Sequence, residues 1–209
     1  MAESPGDLLA LADYKRRVFE LYRRVREEPD PAAAARLWRA TRDELFAQHP
    51  QSPLPAAART AFTGLAYFDR DPALRVLATV VPAEPQVIDI GSSGEAPIRF
   101  IRFARAEFAL SGDNHALDLF WLEGYGGGLF LPFRDGTCGH QTYGGGRYLT
   151  DTVKGTHGRG LTWLGQDTVR LDFNYAYNPS CAYDPRWVCP LAPPPNRLPL
   201  PIRAGERMP

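Results

Sequence analysis

Arg147, Asp172 and Asn174, with Tyr143, Tyr177 and Asn178, are residue types able to hold a small molecule or move charge on it. A guanidinium grips an anion with paired donors, a carboxylate in a dry place takes or gives a proton, and amides and phenols fix orientation. The set supports a pocket for a small polar or anionic molecule, floored by Arg147, Asp172 and Asn174 and rimmed by Tyr143, His140 and Tyr177. Asn178 and Asn196 add further binding groups. Read as a hydrolase or isomerase, the same set makes Asp172 the general acid or base and Arg147 the anion clamp, with Tyr143 or His140 as a second proton carrier. The competing reading is structural: an internal pair of Arg147 with Asp172, an Asx-turn at Asn178 and tyrosines bonded to backbone. Nothing in these residue types names a reaction.

Other chemistries find less support. A zinc knuckle places its cysteines about two to four residues apart. Cys181 and Cys189 are eight apart, and Cys138 and His140 fall on another loop. The pair reads as two small buried hydrophobes, or as a disulfide under oxidising conditions, and neither metal nor cofactor is expected. Gly91-Ser92-Ser93-Gly94 is one residue short of a nucleophile elbow and reads as a turn. The glycine triplets at 126–128 and 144–146 precede β-type residues, whereas a phosphate loop must open a helix. They predict a bulge, a bend or the close approach of another backbone. Of the four histidines, only His140 remains a candidate.

The elements that must position these groups are mainly strands. Val169, Leu171 and Phe173 alternate with Arg170, Asp172 and Asn174, so Thr168 to Asn174 reads as a strand with one apolar and one polar face. Further strands are predicted at Leu74 to Val81, Val87 to Ile90, Ile98 to Phe103, Ala106 to Leu110, Ala116 to Glu123, Leu129 to Phe133 and Arg147 to Thr152. Short links such as Ser111-Gly112-Asp113-Asn114 predict antiparallel neighbours. The fold class is therefore α+β, mainly β: an antiparallel meander closing as a barrel or sandwich.

Residues 1–50 form an N-terminal helical hairpin packing on the core. Leu11, Tyr14, Val18, Leu21 and Val25 make the apolar stripe of its first helix, capped by Asp7. Asp30 and Pro31 open the second, which carries Leu37, Trp38, Thr41 and Leu45 on one face. Should these helices instead meet a partner, the protein is a structural or interaction module. Residues 51–209 form the β-rich domain. It ends in a proline-rich C-terminal strap, in which Leu198, Leu200 and Ile202 alternate with Pro199 and Pro201.

The 209 residues, 44% of them apolar, suffice for one substantial core. Lys and Arg total 24 against 24 Asp and Glu, so no net field gathers nucleic acid or an anionic membrane surface. No apolar run approaches the roughly 18 residues of a membrane span. Without a secretory pattern at the N-terminus, a cytoplasmic protein with free thiols is expected, its partner a small-molecule ligand. Oligomeric state leaves no mark on the sequence.

Tyr143-Gly-Gly-Gly-Arg147-Tyr148, the run from Asp172 through Asn174-Tyr175-Ala176-Tyr177-Asn178-Pro179-Ser180-Cys181 to Tyr183, Cys189-Pro190, Asn196-Arg197-Leu198-Pro199 and Ala204-Gly205-Glu206 together resemble the family named domain of unknown function 1684. Trp38-Arg39, Phe46, Ser52-Pro53-Leu54, Phe62-Thr63-Gly64-Leu65 and Tyr67-Phe68 extend the resemblance over nearly all of the chain after about residue 36. It implies a compact β-rich fold and supplies no catalytic residue. Cys138 stands where members of that family often have serine, which argues against an essential role for its thiol.

Overall fold

The computed structural model describes residues 4–209. Helix α1 (Pro5–Glu27) begins earlier than its stripe suggests, because Ser4 rather than Asp7 is the cap. The Ser4 hydroxyl accepts from the Asp7 amide at 3.1 Å while the Asp7 carboxylate accepts from the Ser4 amide at 3.1 Å. Asp7 is thus the reciprocal half of a capping box, and Pro5 fits the first turn because no N–H is needed there. Helix α2 (Pro31–Gln48) starts as expected at Asp30, which accepts from Ala32 and Ala33. A single turn, α3 (Ala56–Arg59), follows.

Seven strands then form one antiparallel sheet: β1 (Arg75–Ile90), β2 (Ile98–Leu110), β3 (Asp113–Leu122), β4 (Leu129–Phe133), β5 (Arg147–Asp151), β6 (Leu161–Gly165) and β7 (Thr168–Asp172). The first five run as a meander, and the full order is β5-β4-β3-β2-β1-β7-β6. Where the sequence suggests four separate short strands, β1 and β2 are each continuous. Irregularities between Pro82 and Gln86 and between Arg102 and Ala104 absorb what would otherwise break the ladder. A bulge tolerates the missing N–H of Pro85. Strand β6 escapes the periodicity reading because Trp163 and Leu164 are both exposed, so no alternation marks it.

The sheet curls into a half-barrel whose hydrogen-bonded ladder has two ends, β5 and β6. Those ends lie near one another. A Cβ on Gly160, just before β6, would stand 1.9 Å from the carbonyl oxygen of Leu149 in β5, so only glycine permits this approach. The free edge of β5 is taken by the segment after β7, through reciprocal backbone bonds between Tyr148 and Tyr177 at 2.9 and 3.1 Å.

Both faces of this region are covered, which explains why every residue of β5 is buried. One apolar cluster holds Leu131, Phe133, Leu149, Leu171 and Phe173 together with Leu198, Ile202 and Ala204 of the C-terminal segment. The other joins Val18, Leu21, Tyr22, Val25, Trp38 and Leu45 of the helices to Phe120, Phe130, Tyr148 and Tyr177. Chain neighbours such as Leu131 and Phe130, or Leu149 and Tyr148, serve opposite clusters, as period-two alternation requires.

Candidate functional site

This two-sidedness separates the sequence-proposed constellation. Arg147 shares the face of Leu149 and is fully buried toward the C-terminal segment. Asp172 lies on the face opposite Leu171, away from that cluster. The pair expected between them is not formed. Arg147 instead donates to Asp135 Oδ2 at 2.9 Å, to the Ile202 carbonyl at 2.8 Å, to the Glu206 carbonyl at 3.0 Å and to the Ala204 carbonyl. Asp135 completes the junction by accepting from Thr137 and from the Ile202 amide.

Asp172 ends β7 and caps a 3-10 turn, Phe173–Tyr175, so Asn174 stands on that turn and not on a strand. Its carboxylate accepts from the Asn174 amide and side chain, with Arg75 at 3.9 Å. Burial raises the Asp172 carboxyl above its ordinary value. Asn174 in turn clasps the backbone of Asp71, accepting at 2.8 Å and donating at 2.8 Å, and so fixes the entry to β1. Asn196 does the same elsewhere, meeting both backbone groups of Asp118 at 2.9 Å and the Pro132 carbonyl at 2.7 Å. His140 sits exposed on a turn and joins nothing in this set.

Tyr177 and Asn178 lead to a different place, a cleft between the helical hairpin and the sheet. Tyr14, Arg42 and Phe46 line it from the helices, and Tyr148, Lys154, Thr156, Tyr177, Asn178 and Ser180 from the other side, around a volume of about 40 Å³. The Tyr177 hydroxyl meets Thr156 Oγ1 at 3.0 Å. Arg42 is held by Glu206 at 2.7 Å, and its guanidinium lies 5.3 Å from the centre of the Tyr177 ring. Asn178 gives its backbone N–H to the same Glu206 oxygen at 2.9 Å and its side-chain amide to the Arg207 carbonyl at 2.7 Å. Burial pushes the Tyr148 and Tyr177 phenols well above their ordinary range, so they act here as neutral hydroxyls.

Two features of the cleft are unsatisfied. Asn178 Oδ1 is buried without a donor. Lys154, half-buried, has no carboxylate within ion-pair distance among the described residues, and its ammonium reaches only the Cys189 sulfur, at 4.0 Å. Asp151 is close enough to feel that charge, yet burial dominates and raises its carboxyl.

Next to the cleft, Cys181 and Cys189 are both unpaired in the covalent sense. Tyr143, the remaining candidate, belongs here: its hydroxyl is 3.7 Å from the Cys181 sulfur. No sequence signal points to Lys154 or Thr156, and Tyr148 is marked only as part of the family-like run from Tyr143. Among the described residues no group of three or more His, Cys, Asp or Glu side chains is arranged to hold a metal ion.

An uncharacterized protein of Haloarcula marismortui, solved by solution NMR, is similar in sequence and structure. Identity is 40%, with 80% of this chain and 90% of that chain covered and a TM-score of 0.59. No curated protein matches the sequence. Residues 60–207, from the end of the helical region through the C-terminal segment, match the family model described as a protein of unknown function, and the chain therefore belongs to the DUF1684 family.

Proposed function

We propose that this protein binds a small polar molecule bearing an anionic group, whose head enters the cleft between helices and sheet. The observation that carries this reading is the meeting, on one small cleft, of a cation without a carboxylate partner, Lys154, and a buried acceptor without a donor, Asn178 Oδ1. A buried polar group left unpaired costs about 1–3 kcal/mol, which a ligand hydroxyl or amine would recover. A volume near 40 Å³ suits a carboxylate-sized head, leaving the rest of the molecule outside. The ligand class is accordingly a small acid carrying a hydroxyl or amino donor beside its anionic group.

The finer architecture belongs with this proposal: the C-terminal segment acts as a strap over the half-barrel, and residues 1–50 form an appendage supplying one wall of the cleft. A cytoplasmic setting suits its free thiols. The acid–base reading of Asp172 loses its basis, since Arg147 turns to the other face and Asp172 does not line the cleft. The interaction-module reading loses its motive because the apolar stripe of the helices is spent on the chain's own core.

Calorimetric titration with glycolate, acetate and inorganic phosphate, on wild type and Lys154→Gln, tests the proposal. Glycolate should bind more tightly than acetate, and Lys154→Gln should weaken it about tenfold or more with an unchanged circular dichroism spectrum. Wild-type protein indifferent to all three anions, or a variant that binds as well as its parent, would overturn it.

A further inference from the structure

In the cleft of the proposed anion site, the hydroxyl protons can be traced to the acceptors that already hold them. The Thr156 hydroxyl accepts from the Asp151 amide at 2.6 Å and donates its one proton to the Asp151 carbonyl at 3.0 Å. Its bond with the Tyr177 hydroxyl, 3.0 Å long, must therefore use the proton of the tyrosine. Tyr148 gives its own proton to the Pro190 carbonyl. Both phenols are held neutral by burial, so each has a single proton and has spent it. What they still offer is lone pairs. Asn178 Oδ1 is buried without a donor, while the side-chain amide nitrogen is committed to the Arg207 carbonyl at 2.7 Å. Tyr148, Tyr177 and Asn178 thus bring to one cleft acceptors with no proton to give, and the Ser180 hydroxyl beside them can serve either way.

The charges divide along the same line. Glu206 Oε2 neutralises Arg42 at 2.7 Å and accepts from the Asn178 N–H at 2.9 Å. Glu206 Oε1 is buried with no donor, so the carboxylate bonded to the Asn178 backbone keeps capacity for a second cation. Burial raises this carboxyl in spite of Arg42, as expected of a negative charge only partly compensated. Lys154, without a carboxylate partner, supplies the opposite pole with its three N–H donors.

We infer, resting on the anion site proposed above, that the ligand of this cleft is an α-amino acid in its zwitterionic form, its carboxylate on Lys154 and its ammonium on Asn178 Oδ1 and the phenol oxygens of Tyr148 and Tyr177. A ligand hydroxyl brings one proton and leaves the other acceptors unpaired, whereas an ammonium brings three. Its bonds are also charge-assisted, roughly twice as strong as neutral ones. One carbon separates the two charged groups of an α-amino acid, so both reach a cleft of about 40 Å³ together while the side chain points outward. A longer spacer carries the second group out of it.

Calorimetric titration of the full chain with glycine, glycolate and N,N,N-trimethylglycine tests this. Glycine and glycolate differ only in the donor, and trimethylglycine keeps the positive charge without any N–H. Glycine should bind at least about tenfold more tightly than glycolate, and trimethylglycine should lose that gain. Lys154→Gln should weaken glycine and glycolate alike. Tyr177→Phe should weaken glycine about fivefold more than it weakens glycolate, because it removes an acceptor that only the ammonium has protons left to fill. Should that variant fail to fold, Tyr148→Phe serves in its place, and the three ligands on wild type decide the matter without either. Glycine no tighter than glycolate, or trimethylglycine as tight as glycine, would overturn the inference while glycolate binding that depends on Lys154 would keep the anion site. Wild-type protein indifferent to both glycine and glycolate would remove the two together.

Discussion

Arg147 shows how a residue of the right type for chemistry is consumed by structure. All its partners are buried with it, and three of them are carbonyls of the C-terminal segment, so it replaces backbone pairing that a proline-rich stretch cannot supply. Arg147→Ala should destabilise the fold by about 3–5 kcal/mol in urea titration, the usual loss when one member of a buried ion pair is removed. Arg147→Lys should recover little of it, because one ammonium cannot span the same four acceptors. Asp151 behaves in the opposite sense. Burial raises its carboxyl, so the folded state holds the proton more tightly than the unfolded chain and the charged form is penalised. Its contribution is most favourable below the unfolded value of 3.8 and is lost as pH rises through the higher folded value. Asp151→Asn should therefore raise the melting temperature at pH about 7 to 8, and the gain should fade as pH falls toward about 4. A gain independent of pH would contradict this assignment.

At the scale of elements, the C-terminal segment is tied to the half-barrel by alternating apolar and polar anchors. Leu198 lies in the same cluster as Phe133 and Phe173, and backbone bonds run from Arg134 to the Asn196 carbonyl and from Leu198 to the Arg134 carbonyl, each 2.8 Å long. Asn196 then grips β3 and β4 at once through Asp118 and Pro132. Leu198→Ala should cost about 2–4 kcal/mol in denaturant unfolding through the cavity it leaves. Asn196→Ala should cost about the same, because buried backbone groups of both strands lose their partner. Neither residue lines the cleft, so both variants should keep the parent's affinity for glycolate once compared at temperatures where they remain folded. A loss of affinity at equal foldedness would place the ligand nearer the C-terminal segment.

For the molecule as a whole, the helical hairpin is the second cover of a sheet already covered on its other face. Val18, Leu21, Tyr22, Val25 and Trp38 meet Phe120, Phe130, Tyr148 and Tyr175 in one cluster, with the Trp38 indole donating to the Tyr22 hydroxyl at 3.1 Å. Arg159 fastens the end of α1 by donating to the carbonyls of Val25 and Glu28. Removing residues 1–50 should leave this aromatic face open, and the remaining chain should be insoluble or bind a hydrophobic dye strongly. A soluble fragment that melts cooperatively would instead return the helices to the role of a docking module.

Local chemistry determined much of this in advance. The caps at Asp30, the proline at position 31, the Ser111-Gly112 hairpin and the alternation of Val169, Leu171 and Phe173 all act within a few residues, where covalent geometry and side-chain period leave few options. The strand breaks at Pro82 to Gln86 were misplaced because a bulge is chosen by the partner strand, which no local pattern contains. The site was the least legible part. Whether Arg147 faces Asp172 depends on which face of a curled sheet each occupies, and curling sends Arg147 to Asp135 and Asp172 to Arg75. Lys154 and Asn178 come to line one cleft only after the edge of β5 meets Tyr177 and the helices close over it. Residue types and periods lie in the sequence; which unpaired charge and which unpaired acceptor end on the same cleft is decided by long-range packing, because it is packing that uses up the other partners.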